Sequence, residues 1–351
     1  TMAESEPTLY KAVPVDWLWL PKPVRRILGW ITITLFSLSF FSPLFATILL
    51  LPPVWRNFPT AAGLFLLSLL VSFLVKPKEW PAFRKVGQLW YEIFDFSCNV
   101  SPAEVVELLE YCQTHQLILA MHPHGIVPLQ AVLWSAYCDQ YFRDGDRFMY
   151  GFGAAADVVA YVPYLRNFLF WLSAGSASYN VLRDGLVEGK SAAVNAAGRK
   201  PKHLYILPGG VAEIFTSKPG YNAIVFKSRK GLVKLSIDTR AELVPCYVFG
   251  GTDFFHTLAT SDSVLSSISR KLKMGITIFW GQFGLPIPFP AKVTMVIGKP
   301  IPPPAVKDLN DKEELSGAVN DLHETFMKAI VALFDRYKGL AGYPESSLDI
   351  L

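Results

Sequence analysis

The chain has 351 residues, of which 51% are hydrophobic, 14% aromatic and only 18% charged, and its formal net charge is +4. Soluble domains carry about a quarter of their residues as Asp, Glu, Lys or Arg, so this chain is short of charge. That composition excludes intrinsic disorder and coiled coil. The basic residues form no run interleaved with aromatics, which argues against nucleic acid as a partner.

The charge deficit is concentrated near the N-terminus, where residues 27–55 and 57–75 contain no charged residue. A bilayer core needs roughly 20 apolar residues in helical form, and a membrane helix tolerates an internal proline such as Pro43. Three prolines between Leu51 and Pro59 predict a tight turn between the two runs. We therefore expect an N-terminal segment at 1–26 and a transmembrane helical hairpin over 27–75, with helices at about 27–51 and 57–75.

Basic residues flank the hairpin on its outer side. Only Arg56 lies in the predicted turn, whereas the outer flanks hold Lys22, Arg25, Arg26, Lys76, Lys78, Arg84 and Lys85. By the positive-inside rule, both ends of the hairpin face the cytoplasm. The alternatives are a helical hairpin buried in a soluble protein and a cleaved signal peptide, and the second lacks a small-residue cleavage site.

Residues 76–351 alternate short apolar runs with helical stretches. Ser101 and Glu104 form a predicted capping box with Pro102 at the first helical position. The predicted strands are Leu117–Ala120, Phe148–Phe152, His203–Leu207, Ala223–Phe226, Leu243–Val248 and Val293–Ile297. The predicted helices after the capping box are Ile126–Cys138, Pro163–Leu172, Val181–Ala197, Gly231–Arg240 and Asp311–Tyr337. This alternation predicts one mixed α/β domain over 76–351 with a mostly parallel sheet covered on both faces.

Four cysteines, Cys98, Cys112, Cys138 and Cys246, show no metal-binding spacing, and we expect them to be reduced core residues. No metal site is predicted.

The strongest chemical signal is His122-Pro123-His124-Gly125, directly after the first buried strand. In open α/β sheets, ligands bind beyond the carboxyl ends of the strands. Proline fixes the backbone there, glycine permits close approach of a substrate, and free amides at the next helix can stabilise an oxyanion. A histidine pair that merely caps a strand is the structural alternative. A metal-binding pair is disfavoured because no acidic or cysteine ligand stands near in sequence.

Two further clusters follow strands. Gly209 and Gly210 free the backbone after the strand at 203–207, and Glu213 can point back over the same sheet edge. Alone, this pattern is also typical of a simple turn. A basic cluster at 227–234, which includes Arg229 and Lys230, either binds phosphates or forms a solvated face. The G-x-S-x-G elbow of serine hydrolases is missing from the sequence.

Taken together, these motifs resemble the type-2 diacylglycerol acyltransferases and their monoacylglycerol and wax-alcohol relatives, which also place a two-helix hairpin first. The matching blocks, in chain order, are His122-Pro123-His124-Gly125, Pro163-x-x-Arg166 with Gly175, Pro208-Gly209-Gly210-x-x-Glu213, Arg229-Lys230-Gly231-Leu232-Val233-Lys234-Leu235 with Leu243-Val244-Pro245 and Phe249-Gly250, and Gly298-Lys299-Pro300-Ile301. The chain departs from the family where Gly251 stands in place of the usual carboxylate and Asp253 comes later. Some members replace the first histidine of the HPHG block and keep the second.

The resemblance implies acyl transfer from acyl-CoA, as co-substrate and with no other cofactor, to the hydroxyl of diacylglycerol, forming triacylglycerol. His124, rather than His122, is the expected general base. Glu213 either orients the imidazole or binds the glycerol. Arg166, Arg229 and Lys230 are candidate ligands of the CoA phosphates. Pro123, Gly125, Gly209 and Gly210 complete the expected substrate site.

The resemblance also implies an acceptor that reaches the site from the bilayer. The uncharged stretches Val158–Leu165, Phe168–Ser176 and Phe279–Pro290 are expected to line its path, and core packing is the alternative explanation of these stretches. The expected location is the endoplasmic reticulum membrane, with both termini cytosolic, and lipid droplets. Homo-oligomerisation is left open.

Other readings stay open at this level. Monoacylglycerol or a long-chain alcohol is an alternative acceptor, and the preferred acyl chain is not specified. A lysophospholipid acyltransferase would need Asp five residues after a histidine, where this chain has Val127 and Leu129. A lipid-binding membrane protein without catalysis is the remaining alternative.

Overall fold

The computed structural model describes residues 6–75, 78–144, 147–149, 151–188, 202–258, 260, 263–272, 275 and 277–351. Its strands are β1 Tyr10–Lys11, β2 Ser97–Cys98, β3 Leu117–His122, β4 Arg143–Asp144, β5 Arg147–Phe148, β6 Gly151–Ala155, β7 Ala174–Ser176, β8 His203–Ile206, β9 Ala223–Ile224, β10 Glu242–Phe249, β11 His256–Thr257, β12 Phe279–Trp280, β13 Thr294–Ile297 and β14 Asp349–Ile350.

The helices pack around these strands. They are α1 Lys22–Ser39, α2 Ser42–Leu49, α3 Pro52–Asn57, α4 Pro59–Leu74, α5 Pro81–Arg84, α6 Pro102–Tyr111, α7 Leu129–Tyr141, α8 Leu165–Trp171, α9 Tyr179–Glu188, α10 Gly210–Thr216, α11 Gly231–Thr239, α12 Val264–Leu272 and α13 Lys312–Ala341. Short 3₁₀ segments lie at Val15–Trp17, Lys85–Trp90, Asp157–Tyr161 and Gln282–Gly284.

An eight-stranded sheet forms the centre of the chain, in the order β1-β2-β13-β10-β3-β8-β6-β7. The five strands β10, β3, β8, β6 and β7 run parallel, while β1–β2 and β10–β13 are antiparallel pairs. The expected mixed α/β fold with a mostly parallel sheet is confirmed.

The two faces of the sheet have separate cores because successive strand residues point to opposite sides. On one face, Leu119 and Met121 of β3 join side chains from α1, α7 and the Lys85–Trp90 segment. On the other, Ile118 and Ala120 join side chains from α9, α11 and α13. All four cysteines are free and buried, as expected.

Several elements depart from their predicted places. Instead of one strand at 148–152, Phe148 ends the short β4–β5 pair and the sheet strand begins at Gly151. The predicted strand at 223–226 exists as β9, but it pairs with β14 outside the main sheet. Helix α9 ends at Glu188, and the rest of the predicted helix to Ala197 lies outside the described residues. The capping box at Ser101 is confirmed, with both of its hydrogen bonds formed.

The N-terminal apolar region differs in detail from a simple hairpin. The predicted first helix is broken at Phe40–Phe41 into α1 and α2, which meet at 70°. The predicted turn at 51–59 is wrong in part because it contains α3, since proline is tolerated in the first turn of a helix. Within the described residues, no single helix is long and apolar enough to cross a bilayer, and α1 with α2 meets those criteria only as a bent pair.

Helix α1 packs closely on the α/β domain. Ile33 and Phe36 are buried in the core of one sheet face, and Arg25 forms an ion pair with Glu92 at 2.5 Å. A Cβ at Gly29 would lie 2.7 Å from the Leu89 carbonyl oxygen, so glycine lets the two segments approach. The division at 1–26, 27–75 and 76–351 stays a prediction.

Candidate active site

The candidate site lies at the carboxyl ends of two neighbouring parallel strands. Strand β3 ends at His122, and its neighbour β8 leads through Pro208 and Gly209 into α10. Because parallel strands end at the same edge of a sheet, the HPHG block and the glycine-glutamate block meet there. The sequence prediction that these two blocks share one edge is thereby realised.

Glu213 links the two blocks through both of its carboxylate oxygens. Oε1 lies 3.1 Å from His122 Nδ1 and accepts the Val225 amide at 2.8 Å, while Oε2 accepts the His124 amide at 2.5 Å. The residue is buried. Burial by itself raises the pKa of Glu213, but the adjacent His122 and the hydrogen bonds outweigh that effect and hold the pKa below its ordinary value. Glu213 therefore stays ionised at neutral pH.

His122 belongs to the interior rather than to an open site. Its side chain is fully buried, its ring lies 5.4 Å from that of Phe226 and 6.3 Å from that of Phe326, and Nδ1 faces Glu213. Its Nε2 is buried without a hydrogen-bond partner among the described residues. Of the two histidines, this is the one that holds Glu213 in place.

His124 has the arrangement expected of a base. Its Nδ1 lies 2.9 Å from the Gly125 carbonyl oxygen. A carbonyl can only accept, so Nδ1 carries the proton and Nε2 of the neutral ring keeps its lone pair. Burial lowers the pKa of His124 from its ordinary value of 6.5, which keeps the imidazole neutral at pH 7. Unlike His122, His124 lines a large cavity.

The loop that carries His124 is held tightly. Gln130 donates from Nε2 to the carbonyl oxygens of Pro123 at 2.8 Å and His124 at 2.9 Å. Gly125 has φ +67°, and a Cβ on it would come within 2.6 Å of the Gly251 carbonyl oxygen. Glycine is thus required at 125 by both conformation and space.

Gly209 and Gly210 serve the placement of Glu213. A Cβ at Gly209 would lie 1.7 Å from the Glu213 carboxyl carbon, so any side chain there would displace the carboxylate. Gly210 has φ +48° at the start of α10 and also lines the cavity. The sequence assigned both glycines to substrate binding, whereas the structure gives Gly209 a direct steric role beside Glu213.

The cavity has a volume of about 710 Å³ and extends along one face of the sheet. Its walls are largely apolar and come from α1, α2, α7, α8 and strands β6–β8. Several of the lining residues are small: Gly151, Gly153, Ala154, Ala155, Ala156, Ala174 and Ala177. The expected stretch Val158–Leu165 contributes four lining residues and Phe168–Ser176 contributes Leu169, Leu172 and Ala174, but only Phe279 comes from the stretch Phe279–Pro290.

A second polar group of the cavity lies far from His124. Arg84 is buried and donates to Ser173 Oγ at 2.8 Å and Glu79 Oε1 at 2.5 Å, with Asp139 at 3.9 Å. The sheet register places Ala174 beside Gly153, and Gly153 beside Tyr205, which pairs with Leu119 of β3. Three steps between strands at about 4.8 Å each, and the five residues from Leu119 to His124 at about 3.3 Å each, put this end on the order of 20 Å from His124. The sequence analysis counted Arg84 only as a hairpin flank, because an arginine between Phe83 and Lys85 gives no signal of a cavity.

Two predicted phosphate ligands are placed elsewhere. Arg166 donates to the carbonyl oxygens of Ser72 and Phe73 at the end of α4 and lies 5.1 Å from the Phe73 ring centroid. These contacts place it at the end of that helix, where basic groups are favoured. Lys230 donates to Asn320 Oδ1 at 2.6 Å and lines a separate, shallower cleft. That Arg166 and Lys230 bind the CoA phosphates stays a prediction.

Arg229 is the member of the predicted basic set that lines the cavity, where its Nη1 lies 3.4 Å from the Pro208 carbonyl oxygen. Asp253, the shifted acid after Phe249-Gly250, accepts the Gly220 amide and the Tyr343 hydroxyl, each at 2.8 Å. Asp253 therefore connects the loop at Gly220 to Tyr343, which follows α13.

Comparison with known proteins identifies the family. The model of the diacylglycerol acyltransferase family matches residues 58–350, and the chain belongs to this family. It is 28% identical to diacylglycerol O-acyltransferase 2 of Mus musculus over 77% of this chain and 70% of that protein. It is 29% identical to 2-acylglycerol O-acyltransferase 1 of Bos taurus over 73% of this chain and 75% of that protein.

Among solved structures, a 1-acyl-sn-glycerophosphate acyltransferase of Thermotoga maritima is similar. It aligns over 85% of this chain and 97% of its own at 14% identity, with a TM-score of 0.32, which is too low to establish a common fold. The membership of the family thus rests on sequence, and the chain is an acyltransferase of the diacylglycerol and monoacylglycerol acyltransferase group.

Proposed function

We propose that the chain transfers a fatty acyl group from acyl-CoA to the free hydroxyl of diacylglycerol, forming triacylglycerol. One observation carries the proposal: His124, with its Nδ1 proton bound to Gly125, stands at the edge of an apolar cavity of about 710 Å³. A general base beside a chamber suited to hydrocarbon is what acylation of a lipid alcohol requires.

The chemistry assigned to His124 is proton transfer. Nε2 takes the hydroxyl proton as the alcohol oxygen attacks the thioester carbonyl carbon of acyl-CoA. The tetrahedral intermediate then collapses, the carbon–sulfur bond breaks, and the CoA thiolate takes the proton from the imidazolium. A neutral imidazole is needed at the start, and the lowered pKa of His124 supplies it.

Glu213 and His122 are proposed as positioning residues for this base. Glu213 binds the backbone amide of His124 and the ring of His122, and it does not contact the His124 ring. Of the two roles expected for Glu213, neither tautomer control of His124 nor glycerol binding fits these contacts as well as fixing the loop. Replacing Glu213 would remove the hydrogen bond from its carboxylate to the His124 amide, so the backbone at His124 would no longer be fixed.

Arg229 is proposed as a ligand of the CoA phosphates at the cavity mouth. Guanidinium groups bind phosphate oxygens strongly, and Arg229 is exposed to solvent while lining the cavity. This placement would leave the acyl chain to occupy the apolar chamber. Of the three predicted phosphate ligands, this assignment uses Arg229 and does not require Arg166 or Lys230.

We further propose that residues 27–75 anchor the chain in the endoplasmic reticulum membrane, with both termini cytosolic and with access to lipid droplets. Support comes from α4, whose apolar residues Leu64, Leu67, Leu70 and Leu74 are each more than half exposed. Large exposed apolar surfaces mark contact with lipid or protein. A diacylglycerol would then reach the cavity from the bilayer.

Monoacylglycerol is the second candidate acceptor, favoured by the similarity to 2-acylglycerol O-acyltransferase 1 of Bos taurus. Purified protein in lipid vesicles, given labelled oleoyl-CoA and a panel of acceptors, decides between them. We expect triacylglycerol as the main product. Diacylglycerol formed from monoacylglycerol, wax ester from a long-chain alcohol, or phosphatidic acid from a lysophospholipid would each replace the proposed activity. Lipid binding without any product would leave a non-catalytic lipid-binding protein.

A further inference from the structure

Two apolar side chains of helix α12 are turned outward. Val264 is 77% exposed and Ile268 is 44% exposed, whereas Ser266 and Ser269 are fully buried. A surface helix of a soluble protein shows the opposite arrangement. Residues 264, 268 and 271 share one face by helical spacing, so exposed Lys271 adjoins the two apolar side chains.

A neighbouring loop region adds more exposed apolar side chains. Phe283, in the 3₁₀ turn after β12, is 89% exposed, and Leu285 is 51% exposed. Leu258 and Ile278, at the end of the β11–β12 pair, are 68% and 62% exposed, and the Leu258 amide donates to the Ile278 carbonyl oxygen. Phe283 and Leu285 lie in the loop at 281–287, called here the Phe283 hairpin, whereas Leu258 and Ile278 lie at the opposite end of the β11–β12 pair, where the chain leads to and from α12.

This surface adjoins both the cavity and the N-terminal helices. Gly275, Thr277 and Phe279 line the cavity. The Phe279 ring also packs against Phe41 at 5.1 Å and Phe40 at 6.5 Å, at the bend between α1 and α2. Phe279, which follows the exposed Ile278 in the chain, thus connects the segment that carries these side chains to both the cavity and the N-terminal helices.

We propose that the outer face of α12 and the Phe283 hairpin form a second membrane-contacting surface, which inserts into the boundary between headgroups and acyl chains beside the cavity mouth. Val264, Ile268 and Phe283 would enter the acyl-chain region. Lys271 would reach the phosphate layer, since lysine buries its stem and keeps its ammonium in the polar zone. This proposal depends on the proposed function in one respect, the identity of the lipid that enters the cavity.

A lipid surface fits these residues better than a folded partner. Val264 and Ile268 stand on a helix and Phe283 on a separate turn, and all three side chains are exposed. Phe283 projects from the turn with φ +59°, which an aromatic residue rarely adopts. Exposed aromatic and aliphatic side chains together with a lysine are typical of interfacial membrane segments.

Fluorescence of a single attached dye tests the contact directly. Because the native cysteines are buried, Phe283→Cys and Val264→Cys each supply an accessible thiol on the full-length chain. Leu309→Cys is the matched control, since Leu309 is 45% exposed and lies before α13, outside this surface. In phosphatidylcholine–phosphatidylserine vesicles, we expect blue-shifted emission and quenching by nitroxide lipids at 283 and 264, with neither at 309. Water-like, unquenched emission at 283 and 264 overturns the proposal, as does quenching only by a second labelled copy.

Kinetics provide a second test. Phe283→Asn suits the positive φ, and combined with Ile268→Gln it removes apolar contact without a core change. We expect kcat/KM for a long-chain acceptor in vesicles to fall about fivefold, the effect of losing roughly 1 kcal/mol of apolar contact. A short-chain soluble acceptor should react at the unchanged rate, and Leu309→Asn with Leu340→Gln should behave like the parent chain. Equal loss with both acceptors would overturn the proposal. If the parent chain transfers no acyl group, the proposed function fails while the quenching result still decides the membrane contact.

Discussion

The two faces of the central sheet are built from the same strands and are used in opposite ways. On the packed face, Phe334 of α13 is fully buried and its ring lies 4.9 Å from that of Tyr247 and 5.0 Å from that of Phe249. On the open face, small residues of β6 such as Gly153 and Ala155 line a cavity of about 710 Å³. One face supplies stability and the other supplies room for hydrocarbon.

The covering helices explain much of this difference. The packed face is covered by α13, 30 residues long, which begins at an Asp311 cap and ends at Gly342 in the left-handed conformation. The open face is covered by shorter pieces, among them α8 and the bent α1–α2 pair. Short helices that meet at angles leave gaps that a single long helix would close.

The largest expected effect is on the open face, at the base. His124→Ala should lower acyl transfer by about 10²–10⁴-fold, the range for loss of a general base. His115→Ala is the matched control, because His115 stacks on Tyr111 away from the cavity. Initial rates of labelled product in membranes, normalised to protein amount, check this. Retained activity in His124→Ala would remove His124 from the mechanism.

On the packed face, the effect should be on stability. Phe334→Ala should lower the free energy of unfolding by about 3–5 kcal/mol, since it leaves a cavity in a closed core. Leu169→Ala on the open face only enlarges an existing space, so a smaller loss is expected. Denaturant unfolding of both variants measures the contrast, and equal losses would show that the two faces are packed alike.

Lowering the pH should reduce the free energy of unfolding, because a histidine buried in the central sheet stays neutral in the folded chain. The His203 ring accepts the Leu117 amide at Nδ1, and burial lowers the pKa of His203 to about 3. The unfolded chain binds this proton near pH 6.5, so stability is full above that pH and falls as the pH drops toward 3. The loss by pH 5 should be about 2 kcal/mol. His203→Gln should flatten the dependence of unfolding free energy on pH, and an unchanged slope would contradict the assignment.

The smallest expected effect is on the preference for the length of the acyl chain in the donor. Ala155→Leu places a larger side chain in the cavity and should cost about tenfold in kcat/KM for long acyl donors, while short donors react normally. Ala120→Leu adds the same volume to the packed face, where overpacking should destabilise the chain by about 1–3 kcal/mol. Competition between long and short acyl-CoA donors, together with unfolding curves, tests the pair. Loss of activity with all donors would argue against a cavity for the chain.

The sequence predicts the framework of this molecule better than its details. Runs such as Leu117–Ala120 and Leu243–Val248 are continuous and apolar, which is typical of buried parallel strands, and both were located correctly. The strand at 223–226 was identified but not its partner β14, because pairing across 126 residues leaves no local pattern. The break at Phe40–Phe41 directly precedes Pro43 in the first turn of α2. Proline clashes with the carbonyl four residues earlier, so the sequence signals this break and the continuous helix expected across Pro43 was wrong.

In the candidate site, too, the sequence reveals the motifs but not the contacts that their side chains make. The HPHG and glycine-glutamate blocks are local motifs, so His122, His124 and Glu213 could be found from the sequence. That Glu213 contacts the His122 ring and only the backbone of His124 depends on a few ångströms of geometry. Arg84 was missed as a cavity residue, and the contacts of Arg166 and Lys230 were not predicted, because the partners of a long basic side chain are set by tertiary structure.

Mapping the bound acyl chain is the most direct test of the central claim that the open face holds the substrate hydrocarbon beside His124. A long-chain acyl-CoA analogue with a photoreactive group at the end of its chain would be cross-linked to the full-length protein in vesicles, and the labelled peptides sequenced by mass spectrometry. The labels should fall on cavity residues such as Trp134, Met149 and Leu169. Labels confined to α9, α11 or α13 would contradict the account.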